Sequence, residues 1–401
     1  MSIDVSNIRK QFPTLSADAG MVYLDTAATS LTPEPVLAAM DRYYRTYRAN
    51  THRGLYRSAE QATDAYEMAR KKVASCIGAA PGEVVFTGGA TAASNMLVYG
   101  LEQTLDLTEG DEVVTTVLEH HEMLLPVLEL ARRKKLVVKY AQLSEGFSVD
   151  LDDLRSLVSE RTKIIAVTAA SNVTGRMVDS VPGVEQAVVI RDVTARIGHM
   201  PVRIQDLGAD FAFFSGHKMC GPTGIGVLYG REDLLKRLQP GFFGGGMVDD
   251  VTLDKARWCD GVERFEAGSQ NIAGAIGLGA AVDFLEHLGL DAVHTHVRKL
   301  ADYAFSVLGA IDGVTLYAAP SVQNVGIVSF TLDSVHPHDV AQVCADAGVA
   351  VRAGHHCALP LHKELGLSAT VRASLYVFNT TEDIDALGAA VVRAHALFAA
   401  H

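Results

Sequence analysis

The stretch D-F-A-F-F-S-G-H-K-M-C-G-P-T-G-I-G, residues 210–226, decides how this chain is read. Phe211, Ala212, Phe213 and Phe214 make a short apolar run of the kind that fills a buried strand. Ser215, Gly216 and His217 follow, and then Lys218, a residue type rarely set at the mouth of a core strand without a partner. Gly221, Pro222, Gly224 and Gly226 turn the chain tightly, and Gly226-Val227-Leu228-Tyr229 reads as the next strand. Taken alone, Lys218 is a surface lysine in a Gly/Pro turn. The residues at the other strand ends change that reading.

Working outward, Val84–Phe86, Glu112–Thr116, Lys163–Val167 and Ala187–Ile190 are further apolar runs, interspersed with helical patterns. The alternation predicts an α/β fold with a mostly parallel sheet covered by helices, and ligands in such sheets gather at the carboxyl ends of the strands. Past residue 290 the pattern changes. A helix over 291–310, a strand over 325–330, a helix over 337–347, a Gly/His/Cys loop, a strand over 372–378 and a helix over 381–399 predict a smaller α+β domain.

Composition narrows the function class. The 401 residues carry a formal net charge of −12, which predicts neither a nucleic-acid surface nor binding to an anionic membrane. No apolar run reaches the length of a membrane span, and the first twenty residues lack the apolar segment of a secretory signal. Five scattered cysteines argue against a disulfide framework and for a reducing cytoplasm.

Several strand ends carry chemistry. Asp192 closes the run 187–190, Lys218 follows 211–214, His120 follows 112–116 and Asn172 follows 163–167. Gly88-Gly89-Ala90-Thr91 opens a helix, where free backbone N–H groups and a hydroxyl make an anion site. This set matches the needs of pyridoxal phosphate: a lysine to form a Schiff base, an aspartate to keep the pyridine nitrogen protonated, and a phosphate cradle. Each residue also has a plainer role. Asp192 can cap a helix, the glycines can make a simple turn, and His120 can be a structural histidine. Cys357, in the polar loop Gly354-His355-His356-Cys357-Ala358, is either a small buried side chain or a nucleophile. With His120, His121 and His355 it also suggests a metal site, but without the four spaced ligands of zinc, so no metal is expected.

YLDTAAT (23–29), YRANTHRG (47–54), LEHHEMLLP (118–126), SNVTG (171–175), residues 199–230, RFEAGSQN (264–271) and residues 351–380 complete the picture. Through these stretches almost the whole chain resembles the cysteine desulfurase and selenocysteine lyase branch of the class V aminotransferase-fold enzymes. The resemblance implies the type I fold of pyridoxal-phosphate enzymes: an N-terminal segment (1–18) packed on the small domain, a large cofactor domain (19–290) and a small C-terminal domain (291–401). It implies Lys218 as the Schiff-base lysine, Asp192 on the pyridine nitrogen and His120 stacked on the ring. Ala90, Thr91, Ser215 and His217 would cradle the phosphate, with Ser269 coming from the second subunit of a homodimer. Asn172 would contact the ring oxygen or substrate. Arg372 would grip the substrate carboxylate, with Thr26 and His355 alongside. Cys357 would take sulfur from L-cysteine as a persulfide, leave L-alanine, and pass the sulfur to an acceptor protein. Neighbouring histidines would favour its thiolate.

Thr26, Ala90, Ala170 and Ala195 replace residues usual in that pattern, which marks a divergent member. Three rival readings follow: a selenocysteine lyase, a carbon–sulfur β-lyase making pyruvate and ammonia, and a non-catalytic scaffold or sulfur-relay subunit. Cys220, two residues after Lys218, competes with Cys357 as the reactive thiol.

Overall fold

The computed structural model describes residues 3–18, 20–179, 181 and 184–398. Its centre is a seven-stranded sheet: β1 (Val84–Thr87), β2 (Glu112–Thr116), β3 (Val137–Ala141), β4 (Thr162–Thr168), β5 (Val188–Asp192), β6 (Phe211–Ser215) and β7 (Gly226–Gly230). The spatial order is β1-β7-β6-β5-β4-β2-β3. Strands β3, β2, β4, β5 and β6 run parallel, and β7 is antiparallel to both β6 and β1. Thr87, Thr116, Thr168, Asp192 and Ser215 therefore all end at one edge. Strands β1, β2, β6 and β7 are buried along their whole length, which is why they read as unbroken apolar runs. The edge strand β3 lacks that signature, since its Val137 is exposed and Lys139 interrupts it.

Helices α1 (Glu34–Thr46), α2 (Arg57–Cys76), α3 (Ala90–Thr104), α4 (His121–Lys134) and α5 (Ile272–Leu288) surround the sheet. Helix α5 is apolar on nearly all sides and packs against α1 and α2. Small residues permit the close approach: a Cβ on Gly279 would sit 2.9 Å from that of Ala69. Strand–helix alternation breaks in the connections 169–187 and 193–210, where no α-helix occurs among the described residues. The buried Arg191 ties those segments down instead. Its guanidinium donates to the carbonyls of Leu207 (3.0 Å), Thr168 (3.4 Å) and Val178.

The chain bends by 75° at Gly289 into α6 (Leu290–Gly309). Beyond it lies a four-stranded antiparallel sheet of β8 (Val314–Leu316), β9 (Ile327–Leu332), β10 (Arg352–Gly354) and β11 (Thr370–Ser374), in the order β8-β9-β11-β10. Helices α7 (Pro337–Asp346) and α8 (Thr381–Phe398) accompany it. The strand expected over 372–378 ends at Ser374. Leu375–Phe378 leave it because their side chains enter the core, and the Tyr376 hydroxyl donates to Gly198 O across 3.0 Å. The strand expected from 325 starts at Ile327, because Gly326 has φ +91° and breaks the extension.

The N-terminal segment meets both sheets' surroundings. Phe12 packs edge-on against Phe284 of α5 and Phe378, and Arg9 pairs with Asp383 of α8 at 3.0 Å. Residues 1, 2 and 19 lie outside the described residues. Among those described, no single helix is long and apolar enough to cross a membrane.

Candidate active site

The carboxyl edge of the large sheet opens into a cavity of about 270 Å³ that is closed from the other side by β11 and the loop before helix Leu359–Glu364. Lys218, Asp192, His120, Asn172, Arg372 and Cys357 all line it. A larger cleft of about 720 Å³ lies at the opposite edge, beside Val188, Phe211 and Tyr229, away from these groups.

Lys218 ends a single 3₁₀ turn, Gly216–Lys218, directly after β6. Its ammonium donates to the carbonyl of Ala27. Burial, and then the Arg372 guanidinium, push its pKa down to about 8, against the attraction of Glu122 and Asp192. Asp192, the last residue of β5, is buried and accepts from the Thr194 N–H at 2.9 Å. Burial holds its pKa above the usual carboxylate value.

The start of α3 faces the same space. Gly89 stands at φ +133° and turns the chain into the helix, and the Ala90 N–H donates to Ser215 Oγ at 2.8 Å. Gly226 of β7 lets this turn approach, since a Cβ there would lie 2.5 Å from Gly89 Cα. His217 bonds Thr29 Oγ1 through Nδ1 at 3.2 Å, and burial followed by Lys218 lowers its pKa to about 4, so it is neutral. Thr91 points its hydroxyl toward Glu122 at 3.4 Å. Asn172 Oδ1, Thr194 Oγ1 and Arg372 Nε are buried without a protein partner. Unsatisfied buried polar atoms in one cavity mark a place built for a polar ligand. Backbone and hydroxyl donors at a helix start, a buried carboxylate and a partly deprotonated lysine fit a group with a phosphate, a basic ring nitrogen and an aldehyde. Pyridoxal phosphate has all three.

His120 caps α4, with Nδ1 accepting from the Glu122 N–H at 3.2 Å. Burial lowers its pKa to about 3, helped by Lys218, so its ring is neutral. Arg372 on β11 is buried, and burial lowers its pKa to about 10. It donates to Asn172 O at 2.9 Å and lies 3.5 Å from Asp25. Arg352 is its cross-strand partner, and the like charges would repel without Asp25, which sits 3.1 Å from Arg352.

Cys357 is exposed, with φ +56°, beside His356 at φ +50°. Cys220 is fully buried and its pKa is raised to about 12 by burial, so it has neither access nor thiolate character. The histidines expected to favour the Cys357 thiolate stand around it, His355 accepting from its N–H at 3.2 Å. Burial depresses both His356, to about 2, and His121, so both are neutral. Arg352 and Arg372, with Lys218, are the cationic groups of this wall.

Four expected residues lie outside the cavity wall: Ala90, whose N–H is taken up by Ser215 Oγ, and Thr26, His355 and Ser269. Thr26 is buried behind it, with its hydroxyl unpartnered. His355 turns toward His121, ring centroids 5.7 Å apart, and accepts from the Cys357 N–H at 3.2 Å. Ser269 lines a separate cleft with Asn50, His52 and Arg53. Among the described residues, no three His, Cys, Asp or Glu side chains form a group able to hold a metal ion.

Two carboxyls were missed from sequence. Asp25 lies in YLDTAAT, the first stretch quoted for the resemblance. Glu122 follows His120-His121 at the start of α4, where an acid is ordinarily explained by the helix dipole. Here its carboxyl contacts that of Asp192, and burial together with Asp192 raises its pKa to about 8. It is protonated at neutral pH and serves as a donor.

The aminotransferase class-V family profile matches residues 22–387. A probable cysteine desulfurase of Staphylococcus epidermidis is 43% identical over 395 residues, 96% of this chain and 95% of the relative. A probable cysteine desulfurase of Halalkalibacterium halodurans is 43% identical over 394 residues, 96% of each chain. Among solved structures, the apo cysteine desulfurase of Thermococcus onnurineus NA1 superposes with a TM-score of 0.92 at 38% identity, covering 100% of this chain and 99% of that one. The cysteine desulfurase CsdA of Escherichia coli gives 0.90 at 36% identity, with coverage of 99% and 100%. This chain belongs to the aminotransferase class-V family, among its cysteine desulfurases.

Proposed function

We propose that this chain converts L-cysteine to L-alanine with pyridoxal phosphate, holding the removed sulfur as a persulfide on Cys357. The observation that carries the proposal is the meeting of Lys218, Asp192, Arg372 and an exposed cysteine in one cavity. Pyridoxal phosphate, when bound, supplies the aldehyde that Lys218 captures and an electron sink for the substrate carbons. Asp192 would pair with its ring nitrogen, the Ala90 turn with Thr91, Ser215 and His217 would hold its phosphate, and His120 would face its ring. Arg372 receives the substrate carboxylate through two N–H groups, which displaces the weak contact to Asp25. Asn172, whose Nδ2 is used on His356 O, would accept through its free Oδ1 from a hydroxyl on the ring or an N–H of the substrate. Lys218 and His120, both able to be neutral near pH 8, take and return the α-proton.

The Cys357 thiolate attacks the substrate sulfur. The S–S bond forms as the carbon–sulfur bond breaks, and the electron pair left on carbon is protonated to give alanine. An exposed loop lets the persulfide be passed to an acceptor protein. Ser269, which lines a separate cleft, is supplied to a second copy in a homodimer. The exposed Leu55, Phe242, Phe243 and Leu253 support such a contact. Five free cysteines accord with a reducing cytoplasm.

The test is the carbon product from L-cysteine, with the pyridoxal-phosphate-loaded protein, a reductant and a Cys357→Ala control. Alanine and sulfide, lost in the control, are expected. Pyruvate and ammonia, unchanged in the control, would overturn the proposal in favour of β-elimination. A colourless protein that will not take up pyridoxal phosphate would point to a scaffold.

A further inference from the structure

Behind the Cys357 loop lies a chain of hydrogen bonds whose proton positions follow from chemistry. His362, on helix Leu359–Glu364, is fully buried. Its Nδ1 lies 3.1 Å from the carbonyl oxygen of Ala358 and its Nε2 lies 3.2 Å from Thr370 Oγ1. Thr370 Oγ1 lies 3.0 Å from His356 Nε2. A carbonyl oxygen only accepts, so Nδ1 of His362 carries the proton. Neutral His362 then presents a bare Nε2, to which the Thr370 hydroxyl must donate. A hydroxyl has one proton, so its oxygen accepts from Nε2–H of His356. That leaves His356 Nδ1 without a proton, and it is buried with no partner. His356 lines the same cavity as Cys357 and Arg372. Its carbonyl is gripped by Asn172 Nδ2 at 2.6 Å, so the residue is pinned at ring and backbone alike.

We propose that His362 and Thr370 are positioning residues, whose relay from the Ala358 carbonyl locks His356 as its Nε2–H tautomer and leaves Nδ1 as a fixed acceptor on the substrate side. The groups facing His356 are Arg372 on the strand of Thr370, Arg352 on the neighbouring strand and His362 on the helix. Both guanidinium groups oppose a second positive charge, so the ring stays neutral and its one proton stays on Nε2. The relay holds the residue before Cys357 in one orientation beside the exposed thiol. Its function rests on the reading of the cavity as the cysteine site. Its existence does not.

The experiment uses cofactor-free protein with ¹⁵N-labelled histidine, read by NMR and assigned with His356→Asn. Wild-type His356 is expected as a single Nε2–H tautomer. Thr370→Val removes the link at almost constant shape, so both tautomers appear; Thr370→Ser keeps the hydroxyl and restores one. In loaded protein, KM for L-cysteine rises roughly fivefold in Thr370→Val, the size of one net hydrogen bond, with a smaller change in kcat. Should Thr370→Val fail to fold, His362→Gln against His362→Met makes the same comparison, since only Gln retains an acceptor for the hydroxyl. A single Nε2–H tautomer in Thr370→Val or His362→Met would overturn the relay. A locked tautomer released by both variants, in a protein that does not desulfurate cysteine, would refute the proposed function and leave the relay standing.

Discussion

The most exposed consequence of this geometry is the acidity of Lys218. An ordinary lysine has a pKa of 10.5, whereas burial and the Arg372 guanidinium bring this one to about 8. At pH 7 the neutral amine is then about 10% of the population, against about 0.03% for an unperturbed lysine, roughly a 300-fold difference in reactive species. The perturbation is pH, and the assay is acetylation of Lys218 in cofactor-free protein, resolved peptide by peptide by mass spectrometry. The rate should rise about tenfold per pH unit below 7 and bend over near pH 8. Exposed lysines of the same digest, such as Lys135 and Lys236, supply the internal reference for reagent decay. Arg372→Met removes the largest opposing charge, so the bend should move to higher pH. The rate of cofactor uptake, followed by the appearance of its colour, should bend at the same pH. A bend close to 10.5 in wild type, or one that Arg372→Met leaves in place, would refute the claim that burial and Arg372 prepare this amine.

Two further tests concern the neighbouring charges. Arg372→Lys keeps the charge but loses the two-pronged grip, so KM for L-cysteine should rise by about 10- to 150-fold for a loss of about 1.5–3 kcal/mol, with kcat changing less; an unchanged KM would place the carboxylate elsewhere. Glu122 has a folded pKa raised from 4.5 to about 8, so its contribution to stability is fully present below pH 4.5 and is lost as pH rises through 8. Glu122→Gln does not titrate, so in cofactor-free protein its urea midpoint should gain on wild type between pH 5 and pH 9, and a constant difference would show that the carboxyl is not buried as a proton donor.

The fold was legible where burial wrote it into composition. Strands β1, β2, β4, β5, β6 and β7 are apolar because both sheet faces are covered, and their ends carry the residues that sequence singled out. Strand β3 escaped because an edge strand with Lys139 satisfies a different rule. The cavity residues Lys218, Asp192, His120 and Asn172 were visible as chemistry at strand ends, and Cys357 as a thiol in a polar loop. What sequence could not give was distance between segments far apart in the chain. Glu122 reads as a helix-start acid until Asp192, seventy residues later, is brought against it. Asp25 reads as a turn residue until Arg352 and Arg372 arrive on paired strands. His362 reads as a surface helix residue until the Thr370 strand covers it. Thr26 and His355 were placed by likeness of neighbouring motifs, and neither lines the cavity.

The stretch Ser171–Gly175 explains why these distant parts form one site. It leaves β4 of the large sheet, yet most of its outward hydrogen bonds go to the small domain. Val173 O accepts from Ser329 Oγ at 2.6 Å, Thr174 O from the Ala319 N–H at 2.8 Å and Gly175 O from the Val325 N–H at 3.1 Å. Gly175, at φ +70°, lies so close to the Asn324 side chain that a Cβ there would be 2.3 Å from Asn324 Oδ1. Asn172 closes the clasp in both directions, donating to His356 O and accepting through its own carbonyl from Arg372. Asn172, which lines the cavity, is thus also bonded to both Arg372 and the Cys357 loop. Such a clasp has little slack, since buried backbone groups left unpaired are costly. The Cys357 backbone is held as well, since its N–H donates to His355 Nδ1 at 3.2 Å and its carbonyl accepts from the His121 N–H at 2.8 Å, which leaves rotation of the side chain to move the thiol. Lys218 and Asp192 belong to the edge of the large sheet, Arg372 to strand β11 of the other sheet, and Cys357 to an exposed loop that Asn172 holds beside them through His356 O.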